Sequence, residues 1–337
     1  MRTLYFSFLM TLLCLSPQVN ADNGQKTEDA LSAEQQDVID ACLSIAVVSA
    51  EPDQTIEELR NKCLEENKGI VEERVTLEKS VRDNPFAILP HRPTYVLPIS
   101  YSEQNGDIYG DEFQGADLDN VEIKFQVSFK FIVVEDMFYD DLDLQLAYTS
   151  VSWWQAYNKE MSSAFRETNY EPEIIFGYSK PWSLLGVPIK YSFLSLNHQS
   201  NGRGGSLSRS WNRIIGGFAF EHKNIAWLVK AWWRIPEDEK ENPDDTIGDD
   251  NPDIEDYLGN GQLGMVWRLS RNHNLELMLR NNLRSDNKGA IEFGWTYPFA
   301  THFRGYVQYF NGYGESLIYY NVHSERLSIG IKFTDWL

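Results

Sequence analysis

The sequence predicts an antiparallel transmembrane β-barrel of about 12 strands with a small helical extension at its N-terminus. Three observations predict this fold. From about Tyr95 onward, apolar and polar residues alternate, as in strands with one apolar face. The connections between these segments alternate between long and short, as in outer-membrane barrels. The chain also contains 10 Trp and 13% aromatic residues, which fits the aromatic girdles of such barrels.

The first predicted element is a secretory signal over residues 1–21. Arg2 supplies its positive charge, residues 4–15 its apolar segment, and residues 19–21 a small-residue cleavage site. The apolar segment is too short to cross a bilayer as a helix. No later segment has the roughly 18 consecutive apolar residues that a membrane helix needs. We therefore expect the mature chain to begin at Asp22.

Residues 22–90 are predicted to form a helical periplasmic extension. Apolar residues at helical spacing follow Ser32 and Thr55, and each of these starts is close to a capping box. After removal of the signal, Cys42 and Cys63 are the two cysteines that remain. Two cysteines in an exported chain favour a disulfide between the first two helices, and the alternative is two free thiols.

Residues 91–337 are predicted to form the barrel. Regular alternation is clearest in four segments, which are 125–133, 142–146, 275–279 and 327–333. The connections near 105–120, 157–167, 236–256 and 311–323 are long, whereas those near 135–140, 222–224, 270–273 and 298–302 are short. With a periplasmic N-terminus, the long connections face outside. A soluble β-sandwich would show the same alternation, but not this asymmetry over a run of roughly 240 residues.

The charge of the chain excludes one class of partner and suggests another. A net charge of −20 argues against nucleic-acid binding and is compatible with a cation. The acidic run from Glu237 to Asp256 is predicted to be a solvated outer loop. The alternative is that this run binds lipopolysaccharide through divalent cations.

A polar trio near the end of one predicted hairpin is the candidate for chemistry. His198 and Ser200 lie two residues apart on a strand and therefore point to the same face. On the next strand, Asn212 has the parity of the apolar, lipid-side residues. Polar side chains facing hydrocarbon are costly, so a function explains them better than a structural role. A hydroxyl, an imidazole and an orienting group favour nucleophilic catalysis. The alternative is a hydrogen-bonded cluster at the strand end.

The sequence resembles the outer membrane phospholipase A family over roughly residues 95–337. The resemblance is carried by segments in the same order and spacing, namely 166–172, 197–198, 200–203, 208–213, 250–254 and 312–318. It implies a calcium-dependent phospholipase with A1 and A2 activity that hydrolyses acyl esters of phospholipids and lysophospholipids. The outer membrane is the implied location, with the active site toward the outer leaflet. The alternatives are a channel or porin and a catalytically inactive structural barrel.

The resemblance also implies roles for the residues of the trio. Ser200 would be the nucleophile, His198 the base, and Asn212 the residue that orients the imidazole. The backbone N–H of Gly202 would contribute to an oxyanion hole. The chain departs from the family at Gln199, between the base and the nucleophile, where an Asp is familiar.

A calcium ion is the implied cofactor, and a homodimer is the implied active form. The ion would be held by the Ser208 hydroxyl, the Arg203 carbonyl and a Ser162 carbonyl from a second subunit, with water as the remaining ligands. Calcium takes 6–8 oxygen ligands, so this set is chemically sensible. The contribution of the second subunit implies that association completes the site.

Overall fold

The computed structural model describes residues 33–334 except 49, 52, 85, 105, 110–116, 243–244, 246–247, 271 and 302. The predicted signal over residues 1–21 lies outside the described residues. The chain divides into two compact units at the bond between Asn67 and Lys68.

The first unit contains two helices, α1 (Ala33–Val48) and α2 (Ile56–Glu66). The helix α2 begins with a complete capping box at Thr55, so the start predicted there is confirmed. Cys42 and Cys63 form a disulfide that joins the two helices, which confirms the predicted pairing. Among the described residues, no helix is long and apolar enough to cross a membrane.

The second unit is built on 12 long strands. They are β1 (Thr94–Tyr101), β2 (Val121–Val134), β3 (Leu142–Trp154), β4 (Phe165–Tyr178), β5 (Val187–Ser200), β6 (Ser210–His222), β7 (Ile225–Ile235), β8 (Gly261–Ser270), β9 (His273–Asn281), β10 (Gly289–Pro298), β11 (Arg304–Gly312) and β12 (Ser324–Thr334). Each strand pairs antiparallel with its neighbour in sequence, and β12 pairs with β1. The sheet is therefore a closed barrel, and the predicted fold class and strand number are confirmed.

Two short strands add to the wall of the barrel. Leu89–Pro90 pairs with β2, and Trp182–Leu184 pairs with β5. A short helix, α4 (Ile254–Leu258), lies in the connection between β7 and β8. The connection between β5 and β6, residues 201–209, emerges at the same end of the barrel as this helix, because successive strands run in opposite directions.

The strands separate an apolar outer face from a polar interior. On β5, Leu194 and Leu196 are 52% and 48% exposed, whereas Ser195 and Asn197 between them are each 1% exposed. This alternation is that of membrane barrels, in which lipid covers the apolar face.

Buried ion pairs cross the interior of the barrel. Glu122 accepts hydrogen bonds from the Arg166 guanidinium and lies 2.8 Å from a guanidinium nitrogen of Arg326. Glu171 pairs in the same way with Arg213, at 2.9 Å. A charge buried away from water is costly unless it is paired, and here the carboxylates compensate the guanidinium groups. The pairs connect strands that are distant in sequence and so hold the barrel wall in register.

The helix α3 (Ile70–Ser80) belongs to the barrel unit, whereas residues 22–90 were predicted to form one helical extension. Its first residues, Ile70 and Val71, are buried in the barrel. They form a cluster with buried residues of β6, β7 and β8, which are Ala219, Ala226 and Val266. This apolar packing makes α3 part of the barrel unit.

An ion-pair cluster joins α3 to the barrel wall. The carboxylate of Glu78 accepts hydrogen bonds from Lys130 at 2.8 Å and from Arg74 at 2.5 Å. Burial by itself raises the pKa of Glu78, but the charges of Lys130 and Arg74 outweigh it. Together they hold the pKa at about 2, below its usual value of 4.5.

The depressed pKa of Glu78 predicts a loss of stability in acid. The ion pairs contribute fully above the unfolded-state value and are lost as the pH falls toward about 2, because the unfolded chain takes up the proton first. The effect is on the order of 3 kcal/mol. Thermal unfolding followed by circular dichroism across the acid range measures it. Glu78→Gln should be less stable at neutral pH and less sensitive to acid. Equal acid dependence in both proteins would contradict the assignment.

Candidate active site

The candidate residues lie on one hairpin formed by β5 and β6. In the register of this hairpin, His198 is opposite Asn212 and Ser200 is opposite Ser210. His198 is exposed, whereas Ser200 and Asn212 are half-buried. The trio lies on the same outward face as Leu194 and the other apolar residues, as the alternation of the sequence predicts.

A hydrogen bond joins two members of the trio. His198 Nδ1 lies 2.8 Å from Asn212 Oδ1. An amide oxygen can only accept, so Nδ1 carries the proton and the lone pair of Nε2 remains available to take another. Within the described part of the chain, no hydrogen bond joins the Ser200 hydroxyl to this ring. Such contacts commonly tighten only when substrate binds.

The inward side of the hairpin is held by a buried cluster around Trp211. Its indole N–H donates to Gln199 Oε1 at 2.8 Å, and the Arg213 guanidinium lies 4.0 Å from the ring centroid. The other buried members of the cluster are Ile215, Trp232, Ile254, Leu258, Leu317 and Tyr320. Gln199, the departure from the family pattern, therefore faces the interior and serves packing there. Fixing these inward side chains fixes the strand backbones that carry the outward trio.

The connection after Ser200 is ordered by the side chain of Asn201. This side chain is buried, and its amide nitrogen donates to Leu207 O at 2.9 Å. Its oxygen accepts from the backbone N–H groups of Arg203 at 3.3 Å and Arg209 at 3.0 Å. One amide thus satisfies three backbone groups and fixes the shape of the loop next to the candidate nucleophile.

Gly202 adopts a backbone conformation that other residues rarely take. Its φ angle is +68°. A Cβ atom at this position would also lie 3.0 Å from a ring carbon of Tyr170, the residue opposite Ser200 on β4. Glycine is therefore required both by conformation and by the close approach of the aromatic ring.

One candidate calcium ligand, Ser208, contacts the acidic side chain of Asp250, for which no role was predicted. The Ser208 hydroxyl donates to Asp250 Oδ2 at 2.8 Å, and the Ser210 hydroxyl donates to the same oxygen at 2.9 Å. Lys240 pairs with the other oxygen of Asp250 at 2.5 Å. Among the described residues, no group of three or more His, Cys, Asp or Glu side chains could hold a metal ion.

Two further candidate ligands lie in different parts of the chain. Arg203 is tied to β4, because its guanidinium binds Glu167 at 3.1 Å and the carbonyl oxygen of Arg166. Ser162 is exposed in the connection between β3 and β4, with a φ angle of +51°. Among the described residues, no hydrogen bond joins Ser162 to the loop after Ser200.

The acidic run from Glu237 to Asp256 is not a wholly solvated loop, which corrects the prediction from charge alone. The side chain of Asp250 is 6% exposed, and Glu237 accepts a hydrogen bond from Asn212 Nδ2 at 3.1 Å. Ile254 and Leu258 are buried in the cluster around Trp211. The helical spacing of these two apolar residues within the acidic run was the sequence signal for this packing.

A family model described as Phospholipase A1 matches residues 71–333. The chain is 34% identical to Phospholipase A1 of Escherichia coli over 254 residues, which cover 75% of this chain and 83% of the relative. It is 35% identical to a Putative phospholipase A1 of Neisseria meningitidis over 270 residues, which cover 77% and 68%. The residues matched by the family model include the candidate site.

Solved structures show the same relationship. The structure is similar to outer membrane phospholipase A from Escherichia coli, with a TM-score of 0.69 and 33% identity over 76% of this chain and 95% of that one. It is also similar to a Salmonella typhi outer membrane phospholipase dimer with bound calcium, with a TM-score of 0.70 and 32% identity over 77% and 97%. The chain belongs to the phospholipase A1 family.

Proposed function

We propose that this protein hydrolyses acyl esters of phospholipids and lysophospholipids in the bacterial outer membrane, with A1 and A2 activity. The observation that carries the proposal is the hydrogen bond of 2.8 Å between His198 and Asn212, with Ser200 on the same outward face of a phospholipase A1 barrel. A site on the lipid-facing side gives a membrane lipid direct access. The outer leaflet is the proposed side, because the site lies at the end with the long connections.

In the proposed mechanism, Ser200 attacks the ester carbonyl while His198 Nε2 takes the hydroxyl proton. The Asn212 oxygen holds the Nδ1–H group and so orients the imidazolium that forms. The backbone N–H of Gly202 donates to the developing oxyanion. The imidazolium then gives its proton to the leaving alcohol oxygen, and an acyl-serine remains. Water, deprotonated by the same imidazole, releases the fatty acid and restores Ser200.

The residues proposed to hold calcium suit that ion. They are the Ser208 hydroxyl, the Arg203 carbonyl and the carbonyl of Ser162 of the partner subunit, and calcium prefers oxygen ligands. The Ser208 proton points to Asp250, so the lone pairs of the hydroxyl oxygen remain free to act as ligands. When bound, calcium supplies positive charge near the oxyanion.

The proposal predicts unequal losses from the two residues that are hydrogen-bonded to each other. His198→Ala should reduce kcat on the order of 10⁴-fold or more, because it removes the base. Asn212→Ala should cost about tenfold to a hundredfold, since a neutral orienter supplies position without a full charge. Steady-state hydrolysis of a phospholipid in mixed micelles measures both. Equal losses would contradict the assignment of roles.

The lipid assay also separates the proposal from a channel and from an inactive barrel. Purified wild-type protein should release fatty acid from phospholipid vesicles or micelles when calcium is present. A channel would instead conduct ions across a planar bilayer. Buried ion pairs and α3 occupy the interior, where a cavity of about 340 Å³ is lined by Val71 and Val75 of α3 and by the paired Glu78 and Lys130. Conductance without lipid turnover would overturn the proposal.

The proposed active form is a homodimer. Within one chain the loop after Ser200 offers Ser208 and the Arg203 carbonyl, whereas calcium takes 6–8 oxygens, so a monomer would hold the ion weakly. We expect specific activity to fall as dimers dissociate on dilution into excess detergent. A cross-linking series measures the dimer fraction in parallel with lipid turnover. Constant specific activity at a falling dimer fraction would rule out association as the switch.

A further inference from the structure

A carboxylate extends the hydrogen-bonded pair of the proposed active site by one residue. Asn212 Nδ2 donates to Glu237 Oε1 at 3.1 Å. Asn212 lies opposite Ile235, the last residue of β7, and Glu237 follows two residues later. The side chains of His198, Asn212 and Glu237 therefore form a row across β5, β6 and the continuation of β7, on the outward face of the barrel.

The orientation of the Asn212 amide decides the chemistry of His198. With the amide oxygen toward the ring, Nδ1 is protonated and Nε2 is a base that can accept the Ser200 proton. If the amide were turned by half a rotation, its NH₂ group would face Nδ1 and favour the tautomer with the proton on Nε2. That tautomer has no lone pair on Nε2 and cannot deprotonate the hydroxyl.

The bond between His198 and Asn212 does not by itself select between these two states, because an asparagine amide offers a donor at one end and an acceptor at the other. An ionised carboxylate, in contrast, accepts hydrogen bonds and cannot donate one. The NH₂ group of Asn212 must therefore face Glu237, and its oxygen must face His198. Glu237 therefore selects the orientation of the Asn212 amide, and this orientation selects the tautomer of the imidazole.

We propose that Glu237 is a positioning residue that fixes the Asn212 amide and, through it, the catalytic tautomer of His198. The inference rests on the proposed ester hydrolysis by Ser200. It assigns a role in the reaction to a residue of the acidic connection between β7 and β8, which charge alone had suggested was solvated. It also explains how a neutral asparagine can hold one defined orientation at a half-exposed site.

The test compares Glu237→Gln with Glu237→Ala. Glutamine has nearly the same shape and can still bind Asn212, but it can do so in either amide orientation. If Glu237 only supports Asn212 structurally, Glu237→Gln should leave kcat unchanged. If Glu237 acts because it can only accept hydrogen bonds, kcat should fall. We expect both variants to lower kcat by about fivefold to tenfold with little change in KM. Asp238→Ala is the matched control, because it removes one negative charge from an exposed neighbour and should retain full activity.

Two further measurements distinguish positioning from a general effect. In an Asn212→Ala background, Glu237→Gln should cause no additional loss, because the amide through which it acts is absent. In protein labelled with ¹⁵N-histidine, the His198 signals, assigned by their loss in His198→Ala, should report protonated Nδ1 in the wild type. In Glu237→Gln they should shift toward a mixture of tautomers.

An unchanged kcat in Glu237→Gln, or losses that add fully with Asn212→Ala, would overturn the inference. These outcomes are distinct from failure of the proposed function. If the wild type hydrolyses lipid and Ser200→Ala does not, the function stands and the Glu237 variants decide the inference alone. If the wild type is inactive toward lipid, the proposed function fails, while the tautomer measurement still reports whether Glu237 sets the state of His198.

Discussion

Ser200→Ala should abolish phospholipid hydrolysis while the barrel remains folded. Without the hydroxyl no acyl-serine can form, so the loss in kcat should be on the order of 10⁴-fold or more. The side chain is half-buried on the outward face, and its removal disturbs neither the interior ion pairs nor the cluster around Trp211. Fatty-acid release from mixed micelles measures activity, and the heat-dependent shift of the barrel on gels confirms folding.

The matched control for this experiment is Ser206→Ala. Ser206 is an exposed serine in the same connection, and we place it outside the proposed machinery. This variant should keep wild-type activity and should react with a sulfonyl fluoride as fast as the wild type. Ser200→Ala should not react at all. Wild-type turnover in Ser200→Ala would remove this serine from the mechanism and leave the polar trio as a hydrogen-bonded strand end.

The barrel and the trio could be predicted from the sequence because both follow from a period of two. Alternation of apolar and polar residues assigns each strand residue to a face, and the same parity placed His198, Ser200 and Asn212 on the outward one. Removal of the predicted signal would likewise leave two cysteines, which allow one intramolecular pairing. These inferences need only the local alternation of apolar and polar residues and the number of cysteines. They do not depend on which distant segments come into contact.

The helix α3 and the contacts of the acidic connection could not be predicted in this way. Residues 22–90 were predicted to be helical, but whether α3 packs inside the barrel depends on the space that β6, β7 and β8 leave there. Glu237 and Asp250 reach the hairpin across 25 and 42 residues of sequence. Loop conformation sets the distances of these two carboxylates from the hairpin. Helical spacing reports only the buried apolar residues of the run, Ile254 and Leu258, so its acidic residues were predicted to be solvated.

The contact between Asp250 and Ser208 allows the proposed calcium site to be tested by substitution of either residue. The carboxylate accepts a hydrogen bond from the hydroxyl, with 2.8 Å between the oxygen atoms, and so directs the lone pairs of the hydroxyl oxygen away from itself. It also adds negative charge beside a cation, although Lys240 neutralises part of it. A neutral hydroxyl and two carbonyls would form a weak site alone, so the neighbouring carboxylate should matter for affinity.

Removal of calcium with a chelator should lower the enzyme's activity by about a hundredfold or more, because the charge that stabilises the oxyanion is lost. Readdition of calcium should restore activity fully. Ser208→Ala and Asp250→Asn should each raise the calcium concentration for half-maximal activity by about tenfold or more. The first removes a ligand, and the second removes the carboxylate that orients the Ser208 hydroxyl. Ser206→Ala should leave that concentration unchanged.

Calcium binding can be measured separately from turnover. Isothermal titration of the inactive Ser200→Ala protein should detect the ion, and the affinity should weaken when Ser208→Ala is added. Binding should also strengthen with protein concentration, since the partner subunit would contribute the Ser162 carbonyl. Full activity in excess chelator would exclude calcium from the mechanism. The oxyanion would then be stabilised by the backbone N–H of Gly202, a residue with a φ angle of +68° that lies against the ring of Tyr170.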